Sequence, residues 1–380
     1  MDVQVTCNVS SLECGQLALI IIPSLLALST LTIISRIIWS FLKNKSSVPK
    51  SSAVSFDQIG SLPGHRALSS WEMPTQCMLE EVEFVKNGRY GVTCKGQLKR
   101  DEVTTAVRIK MFRGSSSSHK AKEFVELALF YSTICKHDNL VHMLYCQTQR
   151  FPMYLVFEMS TPGNLLHFLW NLREGGPGMC HEEESFSERS VYLVAKQVAT
   201  GLDYLLSEHR LVHGNIAACN MLIGSGLLVK VSGLALAFES RQTETETVGK
   251  ERTADRVPLK WQAPERLLRF PVTSRSDVWS FGILLYELIT LGAPPFPELE
   301  PSETFLQTLA TYKLKRPPNC GGALFDLMKH CRMWNFKDRP AYSAIIKLLE
   351  SYIHLADTKP LRAIQCMDIS EYRRKAGVPP

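Results

Sequence analysis

Leu211-Val212-His213-Gly214-Asn215-Ile216-Ala217-Ala218-Cys219-Asn220-Met221-Leu222 decides the reading of this 380-residue chain. His213 and Asn220 bracket six residues, and an amide stands at Asn215. Gln197, Gly201, Tyr204 and Leu205 precede the stretch, within Ser190–Ser207, whose apolar periodicity predicts a helix. Downstream, Asp277–Leu291 and Gly322–Met333 show the same periodicity. Upstream, Glu83–Val85, Gly91–Gln97, Thr104–Met111 and Met153–Glu158 are short and β-rich. A strand-rich part followed by a helix-rich part predicts an α+β fold of two lobes, the first β-rich and the second helical.

The quoted stretch has the catalytic-loop spacing H-x-x-x-x-x-x-N, and its neighbours extend the match. Val85-Lys86-Asn87-Gly88-Arg89-Tyr90-Gly91 resembles a glycine-rich loop, with Lys86 at the first glycine position. Gly88 and Gly91 keep the option of close backbone approach to phosphates. Val107-Arg108-Ile109-Lys110 resembles the strand that carries an ATP-anchoring lysine, Lys110. Tyr154-Leu155-Val156-Phe157-Glu158-Met159 resembles the strand entering a hinge, with Phe157 at the gatekeeper position. Pro258-Leu259-Lys260-Trp261-Gln262-Ala263-Pro264-Glu265 resembles the A-P-E segment, and Ser276-Asp277-Val278-Trp279-Ser280-Phe281-Gly282 a central buried helix. Asp338-Arg339-Pro340 supplies an arginine expected to pair with Glu265. In this order the motifs resemble the protein kinase family, tyrosine-kinase branch. The resemblance implies a nucleotide site built on Lys110, Gly88, Gly91, Phe157 and Asn220. It assigns structural roles to His213, Asp277, Glu265 and Arg339. The lysine's glutamate partner should lie on the next helix. Counting from either side lands on Leu127 or Ala128, so Glu126 serves only with a one-residue slip.

Two acids that phosphoryl transfer uses are absent. The catalytic-loop base position holds Asn215, and an amide is no useful proton acceptor near neutral pH. Aligned on Lys230-Val231-Ser232, the D-F-G positions read Gly233-Leu234-Ala235. Mg²⁺ wants carboxylate and phosphate oxygens. Gly233 offers none, which leaves Asn220 as a weak metal ligand. Gly214 replaces the arginine that would meet a phosphorylated activation loop. The loop from Phe238 to Val257 contains no tyrosine and reads as mobile and solvated. Arg332 stands where a buried tryptophan is usual.

Composition is near the globular average, at 45% apolar and 21% charged, which excludes disorder or coiled coil for the bulk. A net charge of +6 without a dense basic cluster gives no reason to expect nucleic acid. Eleven cysteines with no CxxC pair argue against a disulfide scaffold or zinc site. Leu17–Ser35 carries no charge, and the apolar run resumes to Leu42. Arg36, Lys43, Lys45 and Lys50 follow it, so the positive-inside rule puts the N-terminus outside. The expected layout is an outer segment 1–16, a transmembrane helix 17–42 and a Ser/Pro-rich linker 43–77. A kinase-like domain 78–356 and a tail 357–380 complete it. Asn8-Val9-Ser10 is a sequon, and Cys7 and Cys14 are open to pairing. Glu174–Glu188 reads as a loop between helices. Tyr372 in the tail is a candidate for phosphorylation by another kinase, with an unmodified disordered tail as the alternative.

The layout resembles the serine/threonine/tyrosine kinase 1 family, also called novel oncogene with kinase domain. The short outer segment, single membrane helix, H-G loop and aspartate-free D-F-G position carry that resemblance. Asn215 departs from the family's H-G-D. Three readings fit: a membrane-anchored pseudokinase, an active atypical tyrosine kinase, or a scaffold without nucleotide. ATP is the expected cofactor, with weak or no Mg²⁺ dependence. Expected partners are other signalling proteins or active kinases, in homo- or hetero-oligomers.

Overall fold

The computed structural model describes residues 65–88, 90–113, 118–174, 186–243, 257–302, 304–363 and 368–376. The expected segments 1–16 and 17–42, and the first part of the 43–77 linker, lie outside the described residues. Among the described residues no helix is long and apolar enough to cross a membrane.

Five antiparallel strands form the first lobe: β1 (Cys77–Gly88), β2 (Gly91–Arg100), β3 (Val103–Met111), β4 (Met143–Gln147) and β5 (Tyr154–Glu158), in the order β1-β2-β3-β5-β4. The two-residue side-chain period splits this sheet into two faces. Cys94, Leu98, Val107, Ile109, Tyr154 and Val156 pack together on one face. The alternate residues, among them Thr93, Arg108, Lys110, Leu155 and Phe157, point to the other. Helix α1 (His65–Leu68) precedes the sheet, and α2 (Ser118–Ile134) crosses between β3 and β4. Leu68 is fully buried in the main core with α2 residues, and Glu72 Oε1 accepts from Thr148 N at 3.0 Å. The linker expected as coil to residue 77 is therefore folded onto the lobe from His65, because its Leu68 and Trp71 supply apolar anchors.

The second lobe is helical. It comprises α3 (Leu165–Glu174), α4 (Glu188–His209), α5 (Ala235–Thr243), α6 (Pro264–Leu267), α7 (Ser274–Ile289), α8 (Phe305–Thr311), α9 (Gly322–Cys331), α10 (Tyr342–Tyr352) and α11 (Ile369–Ala376). A three-stranded sheet, β6 (Gly163–Asn164), β7 (Met221–Ile223) and β8 (Val229–Val231), carries the end of the Leu211–Leu222 stretch. Ser187 with Ser190, and Thr273 with Ser276, form reciprocal capping boxes that start α4 and α7. Apart from its first turn, α7 is apolar nearly all round and sits in the core.

Arg332, flagged in the sequence as standing in an aromatic's place, lays its guanidinium 4.4 Å from the Phe296 ring centre and 5.3 Å from that of Trp279. Cation–π stacking thus fills the position. The tail is not disordered at residues 368–376. Tyr372 is buried edge-on against Trp170, with ring centres 4.8 Å apart. Its side chain is inaccessible to another kinase in this arrangement. Residues 175–185 and 244–256, which hold most of the expected insert and activation loops, lie outside the described residues. The helix α5 replaces the start of the expected mobile loop.

Arg339 is buried and forks onto Glu265, with contacts of 2.6 and 2.9 Å. Breaking a buried pair strands one charge and costs about 3–5 kcal/mol. Arg339→Met should lower unfolding free energy by that order in a denaturant titration. Adding Glu265→Gln should recover part of the loss.

Candidate functional site

The central helix positions the catalytic loop by its backbone. Asp277 accepts from His213 N at 2.7 Å and Gly214 N at 2.9 Å. Glu287, nearly three turns further along α7, accepts from Ala218 N at 3.0 Å and Trp261 Nε1 at 3.1 Å. Burial pushes both carboxyls up to about 7, against the pull of those donors. His213 ring Nε2 lies 2.8 Å from Ser232 O. Burial holds the imidazole down at about 4, so it stays neutral and donates to that carbonyl. The loop is thereby tied to α7 on one side and to the strand before Gly233 on the other.

Asn215 and Asn220 meet on this frame. Asn220 Nδ2 donates to Asn215 O at 2.8 Å, and Ser232 N donates to Asn220 O at 2.9 Å. Asn220 Oδ1 faces Gly233. A Cβ on Gly233 would stand 2.8 Å from that oxygen, and Gly233 has a φ of +78°. Both the left-handed backbone and the close amide favour glycine here. The metal expectation therefore meets one neutral amide oxygen and no carboxylate. A hard divalent cation asks for several anionic oxygens, so these residues do not fit it. Among the described residues no group of three His, Cys, Asp or Glu side chains could hold a metal ion.

The first-lobe sheet carries the other residues expected at the site. Cross-strand partners Lys86, Thr93, Lys110 and Leu155 form one rung, and Glu83, Lys95, Arg108 and Phe157 the next rung on that face. Lys95 pairs with Glu83 at 2.8 Å. Lys110 has no ion pair among the described residues. Its ammonium lies 5.9 Å from the centre of the Tyr131 ring. Desolvation, then the charges of Lys86 and Arg108, pull it down to about 8. Gly88 and Gly91 face each other at the β1–β2 turn. A Cβ on Gly91 would lie 2.0 Å from Met111 O, so this glycine admits the neighbouring strand's backbone.

The expected Lys110–Glu126 pair is not formed. Glu126 Oε2 accepts from Gln242 Nε2 at 2.8 Å, and Lys122 lies 3.7 Å from its other oxygen. Helix phase is the reason: Leu127 and Tyr131, four apart, take the buried face of α2, and Glu126 is turned towards α5. Phe157 is buried against Tyr131, with ring centres 4.7 Å apart. The row continues through Phe130 at 5.6 Å, Phe238 at 5.3 Å and Tyr90 at 5.3 Å. Tyr90 OH reaches Glu239 Oε1 at 3.2 Å. The glycine-rich turn is thus folded down onto α5. Sequence reasoning missed this row and the role of Glu287. Leu234 and Phe238, four apart, were the available signal for α5.

These two lobes, the backbone-tied loop and the Lys110 strand define the class. Residues 79–349 match the family described as protein tyrosine and serine/threonine kinase. The chain belongs to the protein tyrosine and serine/threonine kinase family. Within it, the chain is 33% identical to tyrosine-protein kinase STYK1 of Mus musculus, over 98% of this chain and 94% of that protein. It is 35% identical to tyrosine-protein kinase STYK1 of Homo sapiens, over 82% of this chain and 73% of that protein. Tyrosine-protein kinase Abl of Drosophila melanogaster is 34% identical over 69% of this chain but 15% of its own length.

Two measurements check the site. Acylation of Lys110 by an amine-selective reagent, followed by mass spectrometry, should rise through about pH 8, well below the ordinary lysine value of 10.5. Asp277→Asn keeps the shape but cannot accept both backbone donors, so a buried N–H loses its partner. It should cost about 1–3 kcal/mol in denaturant unfolding.

Proposed function

We propose that this chain is a single-pass membrane protein whose cytosolic tyrosine-kinase-like domain is a pseudokinase. It signals by protein–protein interaction or allostery, with other signalling proteins or active kinases as partners. The observation that carries this reading is the floor of the cleft, where Asn215, Asn220 and Gly233 meet without a carboxylate. Phosphoryl transfer rests on positioning and on metal ions that neutralise the transferring group. The base position alone is worth roughly 10²–10⁴ in rate. Lys110 without an acid, and Tyr90 folded onto α5, support the same reading. Family membership implies ATP, and we propose that it binds with little or no Mg²⁺ dependence. The membrane anchor rests on the uncharged Leu17–Ser35 run and the basic residues after it.

The purified full chain, given ATP, Mg²⁺ or Mn²⁺ and a tyrosine polymer, should transfer no more phosphate than its Lys110→Met variant. Asn215→Asp alone should not restore transfer, because the position of Gly233 still lacks a ligand. Robust transfer by the natural sequence, abolished by Lys110→Met, would overturn the pseudokinase reading.

A further inference from the structure

Asn215 and Gly233 stand where the motif pattern has acids, and cations stand at two of its small-residue positions. Lys86 takes the first glycine position of the loop, and Arg108 takes the alanine position of V-A-I-K. Lys86 and Lys110 lie on one rung with Thr93 between them, and Arg108 lies two residues along β3 on the same face. None of the three has an ion pair among the described residues. The nearby acids are already engaged. Glu83 is held by Lys95 at 2.8 Å, Glu158 by Lys230 at 2.8 Å, Glu126 by Gln242 and Glu239 by Tyr90.

From this geometry we infer that the cleft is a metal-free polyphosphate site, in which the Lys86 ammonium takes the charge-neutralising place of a divalent cation. The inference rests on the nucleotide-binding part of the reading above, and it adds the residue and the ligand class. A phosphate chain carries several negative charges, and something positive must face them once metal is absent. Lys110 supplies one charge from the first-lobe sheet. Lys86 supplies a second from the loop that closes over the cleft. Lys86 is exposed near the end of β1, two residues before Gly88. Excess Mg²⁺ would then compete with the lysines for the phosphates. The floor offers that ion only amide oxygens.

The test is calorimetric titration of the purified full chain with ATP, tripolyphosphate and adenosine, in EDTA and then in Mg²⁺. ATP and tripolyphosphate should bind in EDTA within about ten-fold of each other, adenosine should not bind, and Mg²⁺ should not tighten either anion. Lys86→Met, an exposed change that keeps the strand, should weaken both by about ten-fold or more, the size of one charge-assisted contact. Lys86→Arg should retain binding. Lys347→Ala, an exposed change on α10, should leave it within about two-fold. Binding that requires Mg²⁺, binding unchanged in Lys86→Met, or adenosine binding as tight as ATP would each overturn this inference and leave the pseudokinase reading standing. No binding of ATP under either condition would overturn the nucleotide-binding reading itself.

Discussion

Two carboxylates in one buried helix organise the second lobe. Asp277 and Glu287 both accept from backbone or indole N–H donors, and Asp277 also feels the charge of Arg266, which together offset part of their desolvation. They fix the two ends of the catalytic loop, and through His213 they fix the strand that leads to Gly233. Trp261, and with it the segment before Glu265, hangs from the same Glu287 oxygen. The acids that hold backbone are kept, while the acids that would hold metal or a substrate proton are not.

Much of the architecture was readable in residue order. The strands β1, β2, β3 and β5 and the helices α4, α7 and α9 fall where periodicity put them, give or take their ends. The strand β4 and the cap-on-lobe role of Leu68 were not readable, because a five-residue strand and a single leucine carry too little pattern. The site was legible in its absences, since Asn215 and Gly233 are visible as letters. Its contacts were not. One helical step of about 100° separates Glu126 from Leu127, and only packing decides which of them turns inward. The aromatic row needed five residues from four separate segments to meet, which no local pattern encodes.

Lys110 shows how the same side chain changes meaning with its company. Beside an acid, a lysine in this place is a fixed positive post. Here its neighbours are Lys86, Arg108 and the face of Tyr131, and its charge is the less favoured for it. A cluster of like charges on one sheet face is unfavourable by itself and becomes favourable only when an anion arrives. An anion set against these side chains would relieve that repulsion.

The fold of Tyr90 onto Phe238 and Glu239 bears on how fast and how tightly anything can enter. Where an incoming molecule needs the space that Tyr90 fills, the chain is its own competitor. A measured dissociation constant is then the intrinsic one divided by the fraction of molecules with the turn lifted. Association acquires a ceiling as well. At high ligand concentration the observed rate levels off at the frequency with which the tyrosine ring leaves its seat, and that frequency is a property of the protein alone.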